Sequence, residues 1–282
     1  MNTTYDLAVI LTTYQRPAHL RRSLASLALQ RGVSGRFEVV VTDDGSLDET
    51  PEVVAEFARS VDFPVQFTTH PHDGFRPSQR RNDGVRISRA EYLLLADGDC
   101  LFPSDHLARQ LLARRPGVVR AGWCHRLSRE ATEALGQKEI AAETFLRSMR
   151  PYDHLRMWRK WLSEVAYQAF RHSFKPKLTS WSIGVSRHDY EMVNGFDESF
   201  VGWGCEDDDF AMRLRRAGVR VRTVLGYTHA YHMWHPLDPT HPGQWSHGVN
   251  VGLLFQQDRP IRCRRGLTKL GDVADDSQIK AA

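Results

Sequence analysis

The 282-residue chain contains no apolar run near the ~20 residues that cross a bilayer, which excludes a membrane-spanning helix. Cysteine is scarce. Cys100, Cys124, Cys205 and Cys263 are scattered, and no pair stands at zinc-ligand spacing. A disulfide framework is not expected in a chain this long, so the four read as reduced thiols of a cytosolic protein. The first residues, Met1-Asn2-Thr3-Thr4-Tyr5-Asp6, carry neither a basic stretch nor an apolar core, so no signal peptide is expected. No internal repeat is visible. The net charge of +4 is too small to argue for nucleic acid as a partner, though it suits an anionic small molecule or surface.

What is present is an alternation of strand and helix patterns in the first third. Leu7 to Leu11 is a buried-strand run, and Leu20, Leu24 and Leu27 follow at helical spacing behind Pro17. Phe37 to Val41, Val65 to Thr69 and Tyr92 to Ala96 read as further strands. Helices are expected through Val54 and Phe57, and from Asn82 to Arg89. This order implies a mostly parallel α/β sheet covered on both faces. Such sheets bind ligands beyond the carboxyl ends of their strands. Three polar clusters fall at such ends: Thr12-Thr13-Tyr14, Asp43-Asp44-Gly45 and Asp97-Gly98-Asp99.

From about 130 to 177 the pattern is helical. Leu155, Trp158, Leu162, Val165 and Ala169 form one stripe, expected to face the core, among Arg147, Arg150, Arg156, Arg159, Lys160, Arg171, Lys175 and Lys177. The sharper alternative for this basic segment is contact with an acceptor or a membrane surface. A helix through Phe210 and Leu214 should stop near Gly218 and lead into a strand over Val219 to Leu225. After Gln256 the chain is polar and aperiodic, and partial mobility is expected.

Three constellations carry chemistry. Carboxylates at a strand end, as in Asp97-Gly98-Asp99, can hold a divalent cation that stabilises a departing diphosphate; alone, two nearby aspartates are common in turns. In Gly202-Trp203-Gly204-Cys205-Glu206-Asp207-Asp208-Asp209, four consecutive acids repel one another. A helix N-terminus favours them through its dipole, and one could accept a proton from an acceptor hydroxyl. The glycines around Trp203 permit the backbone of a lid loop. In His229-Ala230-Tyr231-His232-Met233-Trp234-His235, three histidines in seven residues suggest a metal site, and spacing does not rank them. A nitrogen ligand beside carboxylates favours Mn²⁺ over Mg²⁺. His70 and His72 read as loop residues.

Together these residues resemble the GT-A nucleotide-sugar glycosyltransferases. Ile10 to Pro17 and Val41 to Ser46 look like the opening of glycosyltransferase family 2, Gly74 to Gly84 resembles its next motif, and Asp97-Gly98-Asp99 sits where its metal motif falls. Asn194-Gly195-Phe196-Asp197-Glu198 leading into Gly202 to Asp208 is similar to β-1,4-galactosyltransferases and bacterial chondroitin-type polymerases. The likeness spans about residues 5–236. It implies a GT-A fold, a Rossmann-like sheet flanked by helices, with a nucleotide-sugar half over 1–120, an acceptor-binding and catalytic half over 121–250, and a tail over 251–282.

The resemblance also implies roles. Thr12, Tyr14 and one or both of Asp43 and Asp44 would hold uridine, with Arg16, Arg81 and Asp97 near the donor. Asp99 and His232 would bind the metal, Mn²⁺ or Mg²⁺, with His229 and His235 as alternatives to His232. Trp203 would close over donor and acceptor, Asp207 would be the general base, and Glu206 and Asp208 would orient the acceptor. Cys205 departs from the glycine usual in the galactosyltransferases. The implied reaction is inverting transfer from a UDP-sugar to a glycan or lipid-linked acceptor in surface polysaccharide synthesis, in the cytoplasm, where peripheral contact with the inner membrane face would suit it. Rivals are a retaining N-acetylgalactosaminyltransferase-like enzyme and a non-catalytic carbohydrate-binding protein of the same fold.

Overall fold

The computed structural model describes residues 5–170, 172, 174–237, 248–256 and 258–269. Ten strands and ten α-helices are formed among them. The strands are β1 (Leu7–Thr13), β2 (Phe37–Asp43), β3 (Val65–Thr68), β4 (Tyr92–Asp97), β5 (Cys100–Leu101), β6 (Val118–Ala121), β7 (Cys124–Arg126), β8 (Ile183–Ser186), β9 (Arg220–Thr223) and β10 (Ala230–His232). The helices are α1 (Pro17–Ala28), α2 (Thr50–Ser60), α3 (Pro77–Ile87), α4 (His106–Ala113), α5 (Arg129–Glu133), α6 (Gln137–Ala141), α7 (Pro151–Ala169), α8 (Arg187–Met192), α9 (Glu206–Arg216) and α10 (Val251–Leu254).

Seven strands form one sheet in the order β3-β2-β1-β4-β8-β6-β9. All neighbours are parallel except β8, which runs antiparallel to both β4 and β6. The mostly parallel α/β sheet expected from the sequence is therefore present. Side chains alternate across a strand, so β1 feeds two cores at once. Leu7, Val9 and Leu11 enter the cluster under α1 and α2, while Ala8 and Ile10 enter the cluster containing Val85, Phe210 and Leu214. That double burial explains the unbroken apolar run. Helix α3 lies close to the sheet because of Gly84: a Cβ there would come within 2.4 Å of Ile10 Cγ2.

Two elements depart from expectation. Helix α3 begins at Pro77, well before Asn82, with proline in its first turn where no N–H is needed. Strand β8 carries only four residues, one of them Gly184, too short a run to show alternation. A Cβ on Gly184 would meet the Tyr92 hydroxyl at 2.2 Å, so glycine allows β8 to lie against β4.

The stripe on α7 does not face the core. Leu155, Trp158, Leu162 and Val165 are 43%, 54%, 41% and 41% exposed, whereas Glu164 is buried. Met157 packs on the cluster of Phe145 and Tyr231, and Trp161 lies against Gly226. Helical periodicity reported the apolar stripe correctly; tertiary packing took the adjacent face. The stretch 258–269 also packs rather than trails. Arg259 pairs with Asp197 at 2.6 Å and with Asp209 at 3.0 Å, Cys263 is buried, and Thr268 donates its backbone N–H to Asn194. Polar anchoring of this kind leaves no hydrophobic period. The remaining tail, 270–282, lies outside the described residues, as does Arg171.

Candidate active site

The register of the sheet assembles the first half of the site. Thr12 lies opposite Asp97 on one side and Thr42 on the other, and Thr13 lies opposite Asp43. The ends of β1, β2 and β4 therefore open on one edge of the sheet. Thr12 Oγ1 donates to Asp97 Oδ1 at 3.1 Å.

The adjacent acids Asp43 and Asp44 divide. Asp43 is fully buried, and its carboxylate accepts from Gly45 N, Ser46 N, Ser46 Oγ and Thr69 Oγ1. It closes the turn and does not line the cavity. Asp44 does line it. Both Asp44 oxygens are buried without a hydrogen-bond partner, with His70 Nε2, His72 Nδ1 and Arg80 Nε at 3.4, 3.5 and 3.5 Å. Burial raises the Asp44 carboxyl above its ordinary range, partly offset by Arg80 and His72. His72 also stacks on Tyr14, with ring centroids 4.3 Å apart. His70 and His72, read from sequence as plain loop residues, thus flank this edge of the sheet.

A second, three-stranded sheet, β5-β10-β7, builds a candidate metal-ligand group. β10 pairs antiparallel with β5, which places His232 opposite Cys100, directly after Asp99; Met233 N donates to Asp99 O at 2.9 Å. His232 Nε2 and His235 Nε2 lie 3.4 and 3.2 Å from the Asp99 carboxylate. One ligand atom from each of Asp99, His232 and His235 can be chosen so that all lie within 4.8 Å of one another. Two imidazoles and a carboxylate form a mixed N/O donor set, which suits Mn²⁺ better than Mg²⁺. Burial opposes ionisation of Asp99, but His235, His232 and Arg16 hold it well below the ordinary carboxylate range. Arg16 Nη1 donates to Asp99 Oδ2 at 3.1 Å.

His229 does not join this group. In an extended chain, residues three apart point to opposite faces and residues two apart share one. His229 accordingly contacts Tyr231, with Nε2 3.1 Å from the hydroxyl, and burial lowers its pKa to about 4. His229 thus lies apart from the group, whereas His235 stands beside His232 rather than in place of it.

The acidic run opens α9, where each residue turns about 100° from the last. Its members consequently find different partners. Glu206 accepts from Arg81 Nη1 at 3.3 Å. Asp207 Oδ2 accepts from Ser180 N at 2.9 Å and Ser180 Oγ at 2.8 Å, leaving Oδ1 without a hydrogen-bond partner. Asp208 accepts from Lys177 Nζ at 3.1 Å. Asp209 points inward to Arg213 and Arg259 and is structural. Arg213, Arg215 and Arg216 in the last turn complement the helix dipole that the acids exploit at the first. The helix is entered through Gly202, Gly204 and Cys205, all at positive φ. Cys205 has φ 73°, a conformation glycine adopts without strain, which explains why glycine is usual there in the galactosyltransferases.

Arg81 joins the two sets. It is buried, 3.6 Å from Asp97 and 3.3 Å from Glu206. Burial would lower its pKa, but Asp207, Glu206 and Asp97 raise it further. Burial pushes Glu206 up to about 7, with Asp207 adding to the shift and Arg81 opposing it. One cavity of about 780 Å³ is lined by Thr12, Tyr14, Arg16, Asp44, Arg81, Asp97, Asp99, Trp203, Glu206, Asp207, Asp208, His232 and His235. The sequence reading missed Ser180 and Trp181, which also line it, and placed Lys177 only among basic flanks. Trp181 lies 5.8 Å from His232, centroid to centroid, with the Arg126 guanidinium over the Trp181 ring at 5.2 Å. The segment Lys177-Leu178-Thr179-Ser180-Trp181 has no motif spacing that could have announced this.

Comparison with known proteins agrees with the fold and the order of these motifs. Residues 8–170 match Glycosyl transferase family 2, and residues 166–236 match a family described as the N-terminal domain of galactosyltransferase. The chain belongs to glycosyl transferase family 2. It is 30% identical over 230 residues to validoxylamine A glucosyltransferase of Streptomyces hygroscopicus subsp. limoneus, covering 76% of this chain and 48% of that protein. It is 25% identical over 256 residues to the hyaluronan synthase of Pasteurella multocida, covering 82% of this chain and 25% of that one. The chain thus spans about half, or less, of these relatives. Among solved structures, a mannosyltransferase from Pyrobaculum calidifontis in complex with GDP-Man and Mn²⁺ aligns with a TM-score of 0.59 at 18% identity, covering 85% of this chain and 60% of that one. TarS of S. aureus in complex with UDP-GlcNAc aligns with a TM-score of 0.54 at 16% identity, covering 83% and 60%.

Proposed function

We propose that this chain transfers a sugar from a UDP-sugar to a hydroxyl of a saccharide or lipid-linked saccharide, with inversion at the anomeric carbon. The observation that carries the reading is the meeting, in one cavity, of the Asp99–His232–His235 group with an Asp207 oxygen that has no hydrogen-bond partner. Asp44, Thr12 and Tyr14 would hold the nucleoside, and Arg16 would lie against the diphosphate. Asp99, His232 and His235 would bind Mn²⁺, which when present supplies Lewis-acid stabilisation to the leaving diphosphate. Asp207, oriented by Ser180, takes the proton of the acceptor hydroxyl as that oxygen attacks the anomeric carbon. Glu206 and Asp208 flank it to hold the acceptor, and Trp203 covers the cavity. The choice of uridine rests on TarS binding UDP-GlcNAc, while the mannosyltransferase binding GDP-Man makes guanosine the donor to test against it.

A thermal-shift screen of UDP- and GDP-sugars, with and without Mn²⁺, tests the reading. A ligand at a hundred times its Kd stabilises by about 2.7 kcal/mol. The expected result is a shift with a UDP-sugar that requires Mn²⁺. No shift with any nucleotide sugar in Mn²⁺ would overturn it, and an anomeric assignment of product would separate inversion from retention.

A further inference from the structure

Helix α7 has two acids, Asp153 and Glu164, and both sit toward the body of the protein. Asp153 accepts from Arg150 N at the helix start, and buried Glu164 pairs with Lys160 at 2.8 Å. The outward half therefore carries Leu155, Trp158, Leu162 and Val165 beside Arg156 and Arg159, with Tyr152 and Phe170 at either end, all exposed. Neither Arg156 nor Arg159 forms an ion pair among the described residues. At the C-terminal end of α7 a second cavity, of about 590 Å³, opens between the helix and β9. Lys175, Arg215, Arg216, Arg220 and Arg222 line it, and no acid does. Among the described residues, Arg215 and Arg216 hydrogen-bond only to backbone carbonyls, of Pro176 and Arg259.

We propose that the outer face of α7 and the adjoining basic groove dock this chain on an anionic lipid bilayer. An apolar stripe with aromatics beside unpaired arginines is the composition that lies in a membrane interface, apolar side chains among the acyl chains and cations among the headgroups. Charge selects this occupant over a second copy of the chain. A two-fold contact through α7 would bring Arg156 and Arg159 against their equivalents with no acid to meet them. Lys177 and Ser180, which hold Asp208 and Asp207 in the cavity wall, follow α7 in the sequence.

The test uses the full chain and co-sedimentation with vesicles of phosphatidylcholine alone or mixed with phosphatidylglycerol. Binding should require the anionic lipid and weaken as salt is raised. W158E/L162E should lower the partition coefficient by roughly tenfold or more. R156E/R159E, which removes no apolar contact, should do the same, while nucleotide-sugar binding by calorimetry stays unchanged in both. Absence of co-sedimentation at low salt would overturn the proposal, as would binding equal to the parent's by both double variants. A concentration-dependent dimer in sedimentation velocity that W158E/L162E dissolves would assign the face to a second copy instead.

Discussion

Replacing Asp207 by asparagine isolates proton transfer from binding. The amide is isosteric, and its oxygen can still accept from Ser180 N and Ser180 Oγ, which hold Asp207 Oδ2 at 2.9 and 2.8 Å. What it cannot do is take a proton. General-base assistance contributes about a hundred- to ten-thousand-fold, or ~3–5 kcal/mol of barrier. D207N should therefore lose that factor in kcat, while the Kd for donor with Mn²⁺ stays within about twofold of the parent's. S180A removes one of the two hydrogen bonds to the carboxylate. Such a bond to a charged group contributes ~1.5–3 kcal/mol, and because the backbone N–H remains, the expected loss is nearer tenfold. In the double variant the serine has no base left to orient, so D207N/S180A should be no slower than D207N. Single-turnover transfer, with calorimetry for donor affinity, reads all three. Near-normal transfer by D207N would refute the base assignment. Additive losses in the double variant would refute Ser180 acting through Asp207.

Arg81→Met leaves buried carboxylates facing one another, and breaking a buried ion pair from one side costs about 3–5 kcal/mol. Glu206, already raised to about 7 by burial and by Asp207, binds its proton more tightly folded than unfolded, so its contribution favours the fold at low pH and is lost as pH rises toward that value. Loss of Arg81 pushes the value higher still; urea melts of metal-free R81M should show a deficit that is largest above neutrality and narrows on acidification, and a pH-independent deficit would count against this account. For the histidines, H232A and H235A should each weaken Mn²⁺-dependent donor binding by at least roughly tenfold to a hundredfold. H229A, which touches Tyr231 and not Asp99, should leave that affinity unchanged, and calorimetry that ranks the three otherwise would redraw the metal group.

The strands β1, β2 and β4 were legible because burial on both faces makes them continuous apolar runs, each ending in a polar cluster. The acids of α9 were legible as a group but not as individuals: their division among Arg81, Ser180, Lys177 and Arg213 depends on helix geometry and on partners far away in the chain. The same holds for Asp43 and Asp44, adjacent and alike in sequence, where only turn geometry decides which carboxylate is consumed by Ser46 and Thr69. The histidine ambiguity had a local solution. Once Ala230–His232 is a strand, His229 and His232 must face opposite ways. A three-residue strand gives too little alternation to be recognised beforehand. On α7 the amphipathic period was visible, but a period fixes only that an apolar stripe exists, not which neighbour covers it.

The site depends on contacts between distant parts of the chain more than on any single motif. Asp99 follows β4, whereas its partners His232 and His235 come from β10 and the segment beyond it. Arg81, from α3, bridges Asp97 at the end of β4 and Glu206 at the start of α9. Neither matched segment, 8–170 or 166–236, contains both Asp99 and its two histidines, or both Arg81 and Glu206. The main sheet enforces the same interdependence, because β8 is inserted antiparallel between β4 and β6 and so ties the later strands to β1 and β4. Buried charges with partners in different segments are costly when a partner is missing. Packing at the ends of β1 and β4 and placement of α9 are therefore energetically coupled through Arg81, and the metal role proposed for Asp99 requires that β10 is also in place.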